Sequence, residues 1–159
     1  MKKILARTIL MLGMAVPLSM AFTQCTSRTT EEINLNKSKN REFLVENGKR
    51  AEITTRASGL QYQIINEGTG TKPTGTDFVT VNYTGSLISG QIFDQGENIG
   101  FPLNGVIPGW TEGLQLMNQG ASFRFYIPSD LAYGDRGIGK VIPPDSTLIF
   151  DVELVGIGR

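Results

Sequence analysis

Asp94 is the residue in this chain that packing alone explains least. It follows Phe93 in an apolar stretch. A carboxylate there costs stability unless it is paired or solvated, so it points to a site. Other candidates flank it along the chain. Val106-Ile107-Pro108-Gly109-Trp110 places the only Trp at the start of a short helix, behind a β-branched pair. Tyr83 lies upstream, and Ala132-Tyr133-Gly134 lies downstream. Ile142-Pro143-Pro144 then leads into an alternating run that contains Phe150. The chemistry open to these residue types is recognition of an apolar group beside a fixed carboxylate. Each also has a plainer reading. Aromatics at alternate strand positions are core in most proteins, and so is a Trp at a helix start. Tyr83 and Tyr133 read equally well as ordinary rim residues.

Composition removes several alternatives. The chain has 159 residues and no His, which rules out His-based triads and argues against a zinc site. One Cys permits neither an intrachain disulfide nor a Cys cluster. No phosphate-binding G-x-x-x-x-G-K-[ST] motif is present. Net charge is zero overall, yet residues 59–159 carry five basic against ten acidic residues. An acidic globular part argues against nucleic acid as a partner.

The elements that must position these residues follow from periodicity. Leu60 to Ile65 alternates as a strand, and so does Asp77 to Thr84, with Val79, Val81 and Tyr83 on one face. Gly85 to Gly90 reads as a turn, after which Gln91 to Asp94 returns as a strand. Trp110, Leu114 and Met117 share one face of a short helix, which Gly120 is placed to stop. Ser122 to Ile127 and Thr147 to Val155 alternate again. The sum is an α+β fold: an antiparallel sheet of five to six strands wrapped around one short helix.

The three stretches around Trp110, Tyr133 and Phe150, in this order and spacing, resemble an FKBP-type peptidyl-prolyl cis-trans isomerase domain. The resemblance runs from about Ser58 to Gly158. It implies a curved sheet around the helix with an apolar pocket between them. It assigns catalytic roles to Asp94, Tyr133, Phe93 and Trp110. It assigns substrate binding to Tyr83, Val106, Ile107, Ile142 and Phe150. The substrates implied are proline-containing polypeptides, with no cofactor and no metal, and macrolide-type inhibitors would compete for the pocket. Two departures bear on substrate preference. Ile99 stands where many members have a second aromatic, and the loop from Asp135 to Lys140 brings Arg136, Ile138 and Lys140 to the rim; beside the family, the loop between Asp94 and Phe101 is also short.

The N-terminus reads as an export signal over residues 1–25. Lys2-Lys3 precedes an uncharged, mostly apolar run from Thr8 to Phe22. That run is shorter than the roughly 20 residues a stable membrane span needs. Cys25 stands where a bacterial lipoprotein carries its lipidated cysteine, although Gln24 departs from the small residue usual before it. The competing route is cleavage after Ser19-Met20-Ala21, which leaves Cys25 as a free thiol. Residues 26–57 read as a polar stalk in which Ile33 to Arg50 can form a helix ending near Gly48. Residues 58–159 then form the isomerase-like domain. The expected protein is exported and held in the cell envelope by a lipid anchor. A non-catalytic binding module or a chaperone for proline-containing envelope proteins is the alternative.

Overall fold

The computed structural model of the chain describes residues 28–158. The expected export signal, residues 1–25 with Cys25, lies outside them. Six antiparallel strands form one sheet: β1 (Thr54–Thr55), β2 (Gln61–Asn66), β3 (Phe78–Leu87), β4 (Ile92–Pro102), β5 (Ser122–Ile127) and β6 (Leu148–Gly158). Their spatial order is β1-β2-β5-β6-β3-β4. Among the described residues two α-helices accompany the sheet, α1 (Thr30–Asn47) and α2 (Pro108–Leu114).

The period-2 pattern decides which face is buried. Val79 and Val81 of β3, Phe123, Phe125 and Ile127 of β5, and Leu148, Phe150, Val152 and Leu154 of β6 all point to one buried layer. Helix α2 lies on that layer. Pro108 begins it, with φ preset for a first turn and no N–H to leave unsatisfied. Gly113 lets it lie close, because a Cβ there would stand 2.7 Å from Phe125 Cε1. The helix ends at Leu114, earlier than the spacing to Met117 predicts. The Leu116 and Met117 N–H groups bond back three residues, to Gly113 and Leu114, which tightens the chain into a turn. Met117 is still fully buried. Gly120, at φ +85, then turns the chain into β5.

Strand β4 corrects the expected short loop between Asp94 and Phe101. The whole stretch pairs with β3, interrupted by two bulges. One lies between the pairs Val81–Ile99 and Tyr83–Gly96. It holds Asn98 at φ 53, pinned by its N–H to Asn82 Oδ1 at 2.7 Å. Gly96, Asn98 and Gly100 read as turn residues in sequence because a bulged strand uses the same residue types. The other bulge leaves Phe93 as the extra residue between the pairs Gly85–Asp94 and Ser86–Ile92.

Helix α1 starts at Thr30, three residues before the expected Ile33. Thr29 caps it in a reciprocal box: the Glu32 N–H donates to Thr29 Oγ1 at 3.2 Å, and the Thr29 N–H to Glu32 Oε2 at 2.8 Å. The helix is packed, where composition alone suggested a spacer. Asn47 Nδ2 donates to Gln61 Oε1 at 2.8 Å, Gln61 Nε2 donates to the Leu44 carbonyl at 2.8 Å, and both side chains are buried. Phe43 lies 6.0 Å from Tyr126, on the face of β5 opposite the main core.

Candidate active site

A cleft of about 520 Å³ opens between the sheet and the start of α2. Trp110 is its floor, only 6% exposed. The indole meets three rings: Tyr83 at 5.1 Å and 87°, Phe150 at 5.1 Å and 83°, and Phe101 at 5.2 Å and 51°. These edge-on and tilted contacts suit aromatic quadrupoles and hold each ring in place. The indole N–H is buried with no partner among the described residues. Val106, Ile107, Ile99, Ala132 and Tyr133 complete the wall.

Asp94 enters this aromatic cleft with both oxygens engaged. The Tyr83 hydroxyl donates to Oδ2 at 2.8 Å, and the Gln95 N–H donates to Oδ1 at 2.9 Å. That pairing answers the desolvation problem the sequence posed. Strand alternation would send Phe93 and Asp94 to opposite faces. The bulge at Phe93 removes that alternation, so Asp94 reaches Tyr83 while Phe93 packs edge-on against Phe150 at 5.5 Å and 89°. Gly85 makes room for both rings. A Cβ there would stand 2.6 Å from Phe150 and 2.8 Å from Phe93.

Seven of the nine expected site residues therefore line one cleft: Tyr83, Asp94, Val106, Ile107, Trp110, Tyr133 and Phe150. Two do not. Phe93 stands behind Phe150 and supports it. Ile142 is 3% exposed and belongs to the core. Arg136, Ile138 and Lys140 do not line the cleft either. Phe101 was missed as a wall residue, although its alternation with Ile99 across Gly100 was a usable signal. A second hollow, of about 450 Å³, is lined by Asn82, Thr84, Arg124, Asp151 and Glu153. Arg124 and Asp151 form a two-pronged ion pair there. Tyr83 borders this hollow as well, but Trp110, Phe101 and Phe150 do not.

Both phenols of the cleft hold their protons tightly. Burial, then the hydrogen bond to Asp94, pushes Tyr83 from 10.0 up to about 12. Burial, then the Asp94 charge, raises Tyr133. A phenol pKa raised by folding adds stability that is complete below the unfolded value, near 10, and is lost as pH rises toward 12. Across neutral pH both groups are hydrogen-bond donors. Among the described residues no group of three or more metal-ligating side chains occurs.

The sequence matches two family models. Residues 69–155 match the FKBP-type peptidyl-prolyl cis-trans isomerase model, and residues 11–64 match the domain amino-terminal to such isomerases. The chain belongs to the FKBP-type peptidyl-prolyl cis-trans isomerase family. Among FKBP-type relatives, the 22 kDa peptidyl-prolyl cis-trans isomerase of Escherichia coli K12 is 51% identical over 120 residues, covering 73% of this chain and 58% of that one. The outer membrane protein MIP of Legionella longbeachae is 48% identical over 128 residues, covering 78% of this chain and 55% of that one. The chain spans about half the length of the curated relatives it matches. In structure, FkpA from Escherichia coli superposes with a TM-score of 0.77 at 42% identity, over 81% of this chain and 62% of that one. A peptidyl-prolyl cis-trans isomerase from Pseudomonas syringae superposes with a TM-score of 0.78 at 37% identity, over 84% and 99% respectively.

Proposed function

We propose that this chain accelerates cis-trans isomerisation of X-Pro bonds in exported polypeptides, and that the Trp110 cleft is the site. The observation that carries the reading is the Tyr83–Asp94 hydrogen bond inside an aromatic cleft floored by Trp110. Rotation about the amide must cross a barrier of roughly 18–20 kcal/mol, set by resonance. The planar amide is strongly dipolar and well solvated, and the twisted one has lost that resonance. A largely apolar cleft therefore disfavours the planar state relative to the twisted state. Trp110, Tyr83 and Phe150 hold the prolyl ring, with Phe93 bracing Phe150. The Ile107 N–H and the Tyr133 hydroxyl hold substrate carbonyls. Asp94, fixed by Tyr83, supplies a constant field near the twisting bond. No nucleophile, proton shuttle or cofactor takes part, and a macrolide-type inhibitor would compete for the same cleft.

The reading is tested with residues 26–159 on a protein whose refolding waits on proline isomerisation. The slow phase, ~10–100 s unaided, shortens in proportion to added protein. A slow phase untouched by a folded sample would leave the non-catalytic binding module as the better reading. The reading also predicts a flat kcat/KM from about pH 6 to about pH 9, since the chain has no His and both phenols stay protonated. A bell-shaped profile in that window would show a proton-transfer step that this mechanism lacks.

The same proposal extends to the N-terminus: residues 1–25 are an export signal, and Cys25 carries a lipid that holds residues 58–159 in the envelope. A relative named an outer membrane protein supports the location. The positive start, the apolar run and the position of Cys25 support the anchor. Radiolabelled fatty acid is expected to enter the wild type and not Cys25→Ser. Equal labelling of both would sink the lipid anchor.

A further inference from the structure

Tyr133 sits on a loop that helix α1 holds from behind. Within the loop the Gly137 N–H donates to the Tyr133 carbonyl at 3.2 Å, and the Asp145 N–H donates to the Gly134 carbonyl at 2.9 Å. Asp145 is left-handed, at φ 56, a conformation Asp reaches more readily than most non-glycine residues and one that its surroundings hold here. Those surroundings come from α1. Asn36 Nδ2 donates to the Pro144 carbonyl at 2.7 Å and to Ser146 Oγ at 3.2 Å. Lys37 Nζ lies 3.3 Å from Asp145 Oδ1. The Thr147 N–H donates to Asn40 Oδ1 at 2.7 Å, and Asn40 is 3% exposed. Asn40 Nδ2 in turn bonds the Asn36 carbonyl at 2.8 Å. Just before the helix, the Arg28 guanidinium reaches the carbonyls of Gly139 at 3.2 Å and Lys140 at 2.9 Å.

A helix docked only for stability would bury apolar side chains. The N-terminal half of this one presents Asn36, Lys37 and Asn40 to the turn at Pro144–Thr147, while Phe43 and Asn47 in its C-terminal half meet Tyr126 and Gln61. Directional contacts fix position in a way that apolar contact does not. We propose that the N-terminal half of α1 is a clasp that sets the position of Tyr133 in the cleft, with Asn36, Lys37 and Asn40 as positioning residues. The route is short: α1 to Asp145, Asp145 N–H to the Gly134 carbonyl, and Gly134 to its neighbour Tyr133. The inference rests on the isomerase reading for its kinetic consequence, and on geometry alone for the clasp.

The test uses the full chain and two clasp variants, Asn36→Ala/Lys37→Ala and the milder Lys37→Ala, whose side chain is 65% exposed. Lys37→Arg is the conservative control. Amide hydrogen exchange at Gly137 and Asp145 is expected to quicken about tenfold in the double variant and less in Lys37→Ala. For an X-Pro peptide, KM is expected to rise about fivefold with kcat nearly unchanged, and the rise to vanish in a Tyr133→Phe background. Lys37→Arg keeps wild-type values. Wild-type exchange at both amides, or a KM rise that persists undiminished in Tyr133→Phe, would overturn the clasp. An inactive wild type would refute the isomerase reading instead, and the exchange rates would then decide the clasp by themselves.

Discussion

Replacing Asp94 with Ala is expected to lower kcat/KM for an X-Pro peptide by about tenfold to a hundredfold while leaving a folded protein, by analogy with removal of one preorganised polar group from an active site. The carboxylate is the one charged side chain among the residues lining the cleft, so no neighbour substitutes for its field. Its loss also strands the Tyr83 hydroxyl, which now donates to it at 2.8 Å. A half-buried donor without its partner costs about 1 kcal/mol, too little to unfold a typical domain. The loss should therefore fall on kcat more than on the unfolding midpoint. Urea unfolding beside single-turnover kinetics separates the two. A variant that keeps wild-type kcat would remove Asp94 from the mechanism.

Trp110→Ala is expected to be the most damaging single substitution, costing about 3–5 kcal/mol of stability and all measurable activity. The indole is almost wholly buried and touches Tyr83, Phe101 and Phe150 at 5.1–5.2 Å. Removing it leaves a void under the cleft and frees three rings that now hold one another in place. Against a typical total of about 5–15 kcal/mol, the loss brings the fold near its limit. Trp110→Phe is expected to recover most of the stability and part of the activity, because it keeps the ring contacts. Urea midpoints followed by circular dichroism read both. A loss below about 1 kcal/mol in Trp110→Ala would mean the floor is not packed as described.

How far the sequence reveals this architecture differs from element to element. The strands were legible where one face is buried and the other wet, as in Val79-Val81-Tyr83 and Leu148-Phe150-Val152-Leu154, because period-2 burial writes itself into composition. Strand β4 was not legible beyond Asp94. Its bulges use Gly96 and Asn98, the residues that also make loops. Helix α1 was legible as a helix, but its docking was not. Its buried contacts are Asn40 and Asn47, polar residues that a search for an apolar stripe passes over. Its true start was visible in Thr29 and Glu32, a capping box that the expected start at Ile33 overlooks.

The site divides along the same line. Asp94 stood out because a carboxylate beside Phe93 needs a reason, and the reason is Tyr83, eleven residues away on the neighbouring strand. Ile142 matched the family pattern by position, yet an apolar residue at the edge of a pocket and one just behind it look alike in sequence. The pairing of Ile138 with Ile142 turns that side chain into the core. The hold of α1 on the Tyr133 loop joins residues more than a hundred apart in sequence and had no local signal at all.

Exchange between cis and trans forms of a short X-Pro peptide, followed by nuclear magnetic resonance, tests the central claim most directly. The samples are residues 26–159 as wild type, Asp94→Ala, Tyr133→Phe and the combined variant. Fast exchange in the wild type that falls in each single variant, and furthest in the combination, is the predicted result. No acceleration by a folded wild type, or a combined variant as fast as the wild type, would contradict it.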